Sequence, residues 1–156
     1  MKTFLLAALL FSTKANDTQL SNLLTSYYNI KNALVNSNGN TAAAQAGEFV
    51  KALKAIDKKT LSEAERKALE PLQEKLVFDA EHIAETKDIS HQRDHFESFS
   101  ENFYKLAKAV KLSDKPVYQS YCPMKKAYWL SNEAAIKNPY YGSQMLTCGK
   151  VSDTIK

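Results

Sequence analysis

The apolar positions of this chain recur at helical spacing through most of its length. From Asp17 to about Asn36, Leu20, Leu23, Leu24, Tyr27, Tyr28, Ile30, Leu34 and Val35 fall three or four apart, and Asn36-Ser37-Asn38-Gly39-Asn40 breaks the run. A second amphipathic stretch follows from Thr41 to about Asp57. Its Ala42, Ala43, Ala44 and Ala46 allow close approach, and Phe49, Val50, Leu53 and Ile56 supply a packing stripe. Ser62 with Glu65 fits a capping box, so a third helix runs through Leu69, Leu72, Leu76, Phe78 and Ile83 to near Lys87. Pro71 should kink that helix or mark a late start. Asp88 can cap a fourth, carrying Ile89, Phe96, Phe99, Phe103, Leu106 and Val110. Short turns between such helices make neighbours antiparallel. The expected fold class is all-α: an up-and-down four-helix bundle over residues 17–112.

The pattern changes at Ser113. Residues 113–156 hold both cysteines, the only tryptophan, Met124 and Met145, and every proline except Pro71, and helical periodicity largely fails there. Val117-Tyr118-Gln119-Ser120-Tyr121 alternates and suits a short strand, while Ser131 to Ile136 reads as a brief capped helix before Asn138-Pro139. So many aromatic residues indicate an ordered, irregular cap packed on the bundle, since disordered tails are poor in them.

At 156 residues the chain suits a single domain with a real core. Its first 15 residues read as a signal peptide. Lys2 supplies the positive start, Phe4 to Phe11 a short apolar run, and Thr13-Lys14-Ala15 small residues near a cleavage point. That run is too short for a bilayer, which takes about 20 apolar residues. The remaining 16–156 would form a single helical domain, periplasmic or otherwise exported, with no membrane span. Removing the leader takes Lys2 and Lys14 away, lowering the formal charge from +4 to +2. So weak a balance is no argument for nucleic acid, whose binding typically shows as a strongly basic face, and no nucleic-acid partner is expected.

Export sharpens the reading of the two cysteines, which an oxidising compartment can hold as a disulfide unless a metal or reductant keeps them as thiols. Cys122 lies two residues from Met124, and Cys148 three from Met145, so each half pairs a thiol with a thioether. Sulfur ligands of this kind suit copper(I) or silver(I). The structural alternative is a Cys122–Cys148 bridge with the methionines as core fillers, stabilising by about 3–4 kcal/mol in the chain-entropy model. Both readings stand on spacing alone. His91 and His95 share one face of the fourth helix, and His82 lies opposite His95 if the third and fourth helices turn near Asp88. These histidines suit either a shared metal or a solvated face. No phosphate loop, nucleophile elbow or His-Glu-x-x-His pair is present, so no enzyme is expected. Asp79, Glu81 and Glu85 read as solvated charge, and the aromatics of the cap as packing against the bundle or a ligand surface.

Several segments carry a resemblance: Glu81-His82-Ile83-Ala84, Asp88 through Phe96, Tyr121-Cys122-Pro123-Met124, Trp129-Leu130-Ser131, and Lys137-Asn138-Pro139-Tyr140-Tyr141-Gly142 continuing through Met145-Leu146-Thr147-Cys148-Gly149. Together they resemble, over essentially the whole mature chain, an exported bacterial domain of unknown function, the 3347 family. That domain also occurs appended to periplasmic adaptors of heavy-metal efflux systems. The family has no settled activity. Its association with copper and silver efflux implies metal capture or transfer, with copper(I) or another soft metal ion as cofactor and an efflux adaptor or transporter as partner. Carried onto this chain, the implied ligands are Cys122, Met124, Met145 and Cys148, with His82 and His95 as additions. Where relatives place a histidine just before Cys-Pro-Met, this chain has Tyr121, which removes one potential ligand.

Overall fold

The structure, a computed structural model, describes residues 14–156, with side chains from Gln19 onward. The expected signal peptide therefore lies outside the described residues up to position 13. Helices α1 (Lys14–Val35), α2 (Gly39–Lys54), α3 (Glu63–Glu85) and α4 (Ile89–Ala109) form the bundle foreseen from the pattern, each packed on the next in sequence. The stripes that predicted them are buried: Leu20, Leu23, Tyr27, Ile30 and Leu34 on α1, and Phe96, Phe99, Phe103 and Leu106 on α4, are fully inaccessible. Tyr27 joins the first helix to the last, its ring stacking on Phe96, Phe99 and Phe103 at centroid distances of 5.4, 5.6 and 4.9 Å. Such ring pairs add about 0.5–1.5 kcal/mol each beyond the area they bury.

Local chemistry fixes the turns. Ser37 takes φ +53, and the Asn38 side chain accepts from the Thr41 amide to start α2. Both hydrogen bonds of the Ser62–Glu65 capping box form, so α3 begins at Glu63 and continues through Pro71, without the late start considered above. Asp88 accepts from the amides of Ser90 and His91 and starts α4. In the first turn of α4, the buried Gln92 side-chain NH2 shares its two N–H groups among the Gly39, Ile83 and Thr86 carbonyl oxygens at 2.9, 3.1 and 2.8 Å, which pins the α3–α4 turn to the start of α2.

The all-α expectation needs correcting in the cap. Strands β1 (Val117–Cys122), β2 (Ala127–Ser131) and β3 (Lys150–Ile155) form an antiparallel sheet in the order β2-β1-β3, with a bulge between Gln119 and Ser120. The molecule is mostly helical with a small sheet in its cap, while the segment 132–149 between β2 and β3 is irregular apart from the 3-10 turn at Gly142–Gln144. The foreseen strand at 117–121 is present. The foreseen helix at 131–136 is not: Ser131 ends β2, its hydroxyl accepts from the Glu133 amide, and residues 132–135 form bends. Strand β2 packs on α4, and the free edge of β2 is occupied by Tyr27, whose hydroxyl oxygen accepts from the Leu130 amide at 2.9 Å. Arg93 ties the cap to the bundle, donating to the Pro139 and Leu34 carbonyl oxygens at 2.8 and 3.0 Å.

Candidate metal centres

Cys122 closes β1, and Pro123-Met124-Lys125-Lys126 form the hairpin turn to β2. Proline supplies a fixed φ there, and Lys126 takes the left-handed conformation at φ +59, so the Cys-Pro-Met element is first of all a turn. The turn donates the Lys126 amide to the Cys122 carbonyl oxygen at 2.8 Å and the Lys125 amide to the Cys122 sulfur at 3.4 Å. Cys122 is fully buried. Cys148 reaches it from the loop before β3, within hydrogen-bonding contact of its sulfur. The two thiols are free, not bridged. Burial raises the Cys148 thiol pKa, the Cys122 contact raises it further, and the Met124 backbone amide partly offsets both. A thiol held protonated in this way oxidises slowly and must release a proton to take up a metal.

Asn138 holds this loop in place. Fully buried, it donates its amide N–H to the Leu146 carbonyl oxygen and its side-chain N–H to that of Cys148, at 2.8 and 2.7 Å, and its side-chain oxygen accepts from the Tyr140 amide at 2.8 Å. Gly149 has φ +149, and a Cβ there would stand 2.8 Å from the Trp129 ring and 2.9 Å from the Tyr121 carbonyl oxygen. Only glycine lets the backbone beside Cys148 approach so closely. Of the two thioethers, Met124 is 62% exposed at the hairpin tip and Met145 is half-buried after the 3-10 turn at Gly142–Gln144.

The histidines gather elsewhere, on the outer face of the α3–α4 hairpin. His82 and His95 face each other as the hairpin symmetry suggested, with ring centroids 4.5 Å apart. His91, which was not among the implied ligands, completes the group at 4.8 Å from His95 and 6.4 Å from His82. His82 Nδ1 lies 2.9 Å from the Phe78 carbonyl oxygen, and His95 Nδ1 lies 3.1 Å from an Asp79 carboxylate oxygen. The other Asp79 oxygen accepts from the Ser98 hydroxyl at 2.7 Å. Asp79, read from sequence as solvated charge, is only 4% exposed. Its position should have been the signal: it continues the buried stripe Leu72, Leu76, Asp79, Ile83. Among the described residues, no group of three or more His, Cys, Asp or Glu side chains stands ready-formed to hold a metal ion.

The six implied ligands thus divide. Cys122 and Cys148 come together with Met124 on the adjoining turn, Met145 stands one turn before Cys148 with its carbonyl oxygen accepting from the Cys148 amide at 3.1 Å, and His82 and His95 come together with His91. The two regions are linked by the Lys125–Asp94 ion pair of 2.7 Å, which joins the hairpin turn to α4 beside His95. No helix among the described residues is long and apolar enough to cross a membrane.

No curated protein and no solved structure matches the chain. A family profile described as protein of unknown function (DUF3347) matches residues 23–115, which span nearly all of the helical bundle and stop before Cys122. The histidines lie inside the matched segment and the cysteines beyond it. With more than half its length so matched, the chain belongs to the DUF3347 family.

Proposed function

We propose that this protein is an exported soft-metal binding protein that captures or transfers copper(I) or silver(I), with the thiolates of Cys122 and Cys148 as its principal ligands. One observation carries the reading: two cysteines 26 residues apart meet unbridged where the loop before β3 reaches the end of β1, that loop held by Asn138 and by the close approach at Gly149. Paired thiolates with thioethers nearby are the donor set that soft ions prefer. Met124, on the turn that also contacts Cys148, supplies an exposed thioether that can close over a bound ion or hand it on. An efflux adaptor or transporter is the partner this reading implies, and a periplasmic or similar compartment its setting.

The same proximity favours a second reading, in which the cysteines form a disulfide that staples the loop before β3 to the hairpin and the domain serves as an interaction module. A copper(I) competition titration of the reduced protein separates the two. One ion per chain is expected, with Cys148→Ser weakening binding strongly, and unchanged affinity in that variant would refute the metal reading. A free-thiol count by mass spectrometry on protein from its native compartment is the complementary measurement, two free thiols excluding the staple.

A further inference from the structure

We propose that His82, His91 and His95 form a second site, an imidazole site for a borderline divalent transition-metal ion such as zinc. It stands independently of the thiol reading, because it uses other residues, other donor atoms and another class of ion.

The starting point is the hydrogen bonding of two rings. A backbone carbonyl oxygen only accepts, so the bond between His82 Nδ1 and the Phe78 carbonyl oxygen requires the proton to sit on Nδ1. In the neutral ring, Nε2 then carries a bare lone pair. The Asp79 carboxylate imposes the same tautomer on His95, and it is itself held by the Ser98 hydroxyl. Metal-bound histidines are ordinarily fixed in this way, with the far ring nitrogen donating to a carboxylate or a backbone carbonyl, which orients the ring and raises its basicity. Histidines that merely cover a solvated face need no buried carboxylate beneath them. Here a carboxylate is sunk into the apolar stripe of α3 and spends its two oxygens on His95 and Ser98.

Ring spacing supports the same conclusion. An ion bound about 2.0–2.1 Å from each Nε2 stands roughly 3.2 Å from each ring centre, so rings at tetrahedral angles have centroids about 5 Å apart. The three separations of 4.5, 4.8 and 6.4 Å lie on either side of that value. As they stand the rings make no ready-formed site, and closing one requires His91 to turn toward the other two. His91 is exposed, and the torsion that turns an imidazole is broad, so the adjustment is a side-chain rotation that leaves the backbone in place. The backbone is already set, because Asp88 caps α4 at the His91 amide and the Gln92 amide locks the turn below it. Phe78 walls one side, its ring 4.3 Å from His82 and 5.9 Å from His95 although it is 55% exposed. Three imidazoles suit zinc, copper(II) or nickel(II), and they leave a fourth position open.

The test uses the Cys122→Ala/Cys148→Ala double variant, so that no thiol can contribute, titrated with zinc chloride by calorimetry and followed by long-range proton–nitrogen NMR of the histidine rings. One zinc ion per chain is expected, with the Nε2 resonances of all three histidines shifting together. His91→Gln, at an exposed position that the fold does not need, should weaken binding at least tenfold while circular dichroism and the melting temperature hold. Absence of binding at a hundredfold excess of zinc would overturn the proposal, as would binding that His91→Gln and His95→Gln leave unchanged. Copper(I) binding by the thiols can fail while this site holds, and the reverse, so the two results are read separately.

Discussion

Replacing Lys31 by methionine should stabilise the protein, and the size of the effect follows from where the lysine sits. Lys31 lies on α1 beneath the cap and is only 1% exposed. Burial pushes its pKa from 10.5 down to about 8, with Glu133 opposing the shift and Lys137 adding to it. The folded-state value is below the unfolded one, so the unfolded chain holds the proton more tightly. The penalty is therefore full below about pH 8 and fades as pH rises toward 10.5. At about 1.4 kcal/mol for each tenfold change in proton affinity, the buried ammonium costs the folded state roughly 3 kcal/mol at pH 7. Methionine has a similar length and flexibility and no charge, so it fills the site at little packing cost. Urea denaturation of both proteins at pH 7 and pH 10 makes the measurement, and taking the difference cancels every other titrating group. Lys31→Met should be more stable by up to about 3 kcal/mol at pH 7 and should lose most of that advantage by pH 10. A variant that is neutral or destabilised at pH 7, or an advantage that does not change with pH, would refute the reasoning.

Two further substitutions probe how the sheet is held to the bundle. Tyr27→Phe removes the hydroxyl that bonds the Ser100 side chain at 2.7 Å and accepts from the Leu130 amide at 2.9 Å, leaving a buried edge-strand N–H without its partner. The expected loss is about 1–3 kcal/mol in urea denaturation, and a loss below about 0.5 kcal/mol would mean that water replaces the phenol. On β3, the Asp153 carboxylate is held down to a pKa of about 2 by the Tyr104 hydroxyl first, then by Lys108 and the Thr154 amide. Its contribution is present above about pH 4 and is lost as pH falls toward 2, so Asp153→Asn should flatten the acid limb of the stability profile between those values. An unchanged acid limb would show that the Tyr104–Asp153 contact is not maintained in solution.

The bundle was legible because each helix obeys a local rule that its surroundings reinforce. Ser62 and Glu65 form both bonds of the box they spell, Asp88 caps α4, and the 3.6-residue stripes of α1 and α4 are the buried ones. Two of the three strands were not legible, for different reasons. In β2, Trp129, Leu130 and Ser131 are buried consecutively, because one face meets the bundle and the other packs within the cap, so no alternation reaches the sequence. In β3, Lys150-Val151-Ser152-Asp153-Thr154-Ile155 is polar and largely exposed, and its strand character comes from pairing with β1. Ser131 misled because a serine whose hydroxyl accepts from a nearby backbone amide suits a helix start and a strand-ending turn alike. The pairing of His82 with His95 was readable from hairpin symmetry, whereas Asp79 and Gln92 were passed over although both occupy core positions of their helices. A polar residue on an apolar stripe is the clearest mark of a buried bond that a single sequence offers.

The family match and the structure together give the two candidate centres different standing. Residues 23–115 include α2, α3, α4 and α1 from Leu23 onward, so everything that builds the histidine cluster lies within the matched segment. The thiol pair depends wholly on the cap, since one cysteine ends β1 and the other precedes β3. Their chemistry diverges as well. Oxidation that joined Cys122 to Cys148 would abolish the sulfur centre and leave three imidazoles untouched. Stoichiometry is therefore the discriminating measurement. Protein that binds one soft ion when reduced and one zinc ion whether reduced or oxidised carries both centres, and each that fails is excluded without reference to the other.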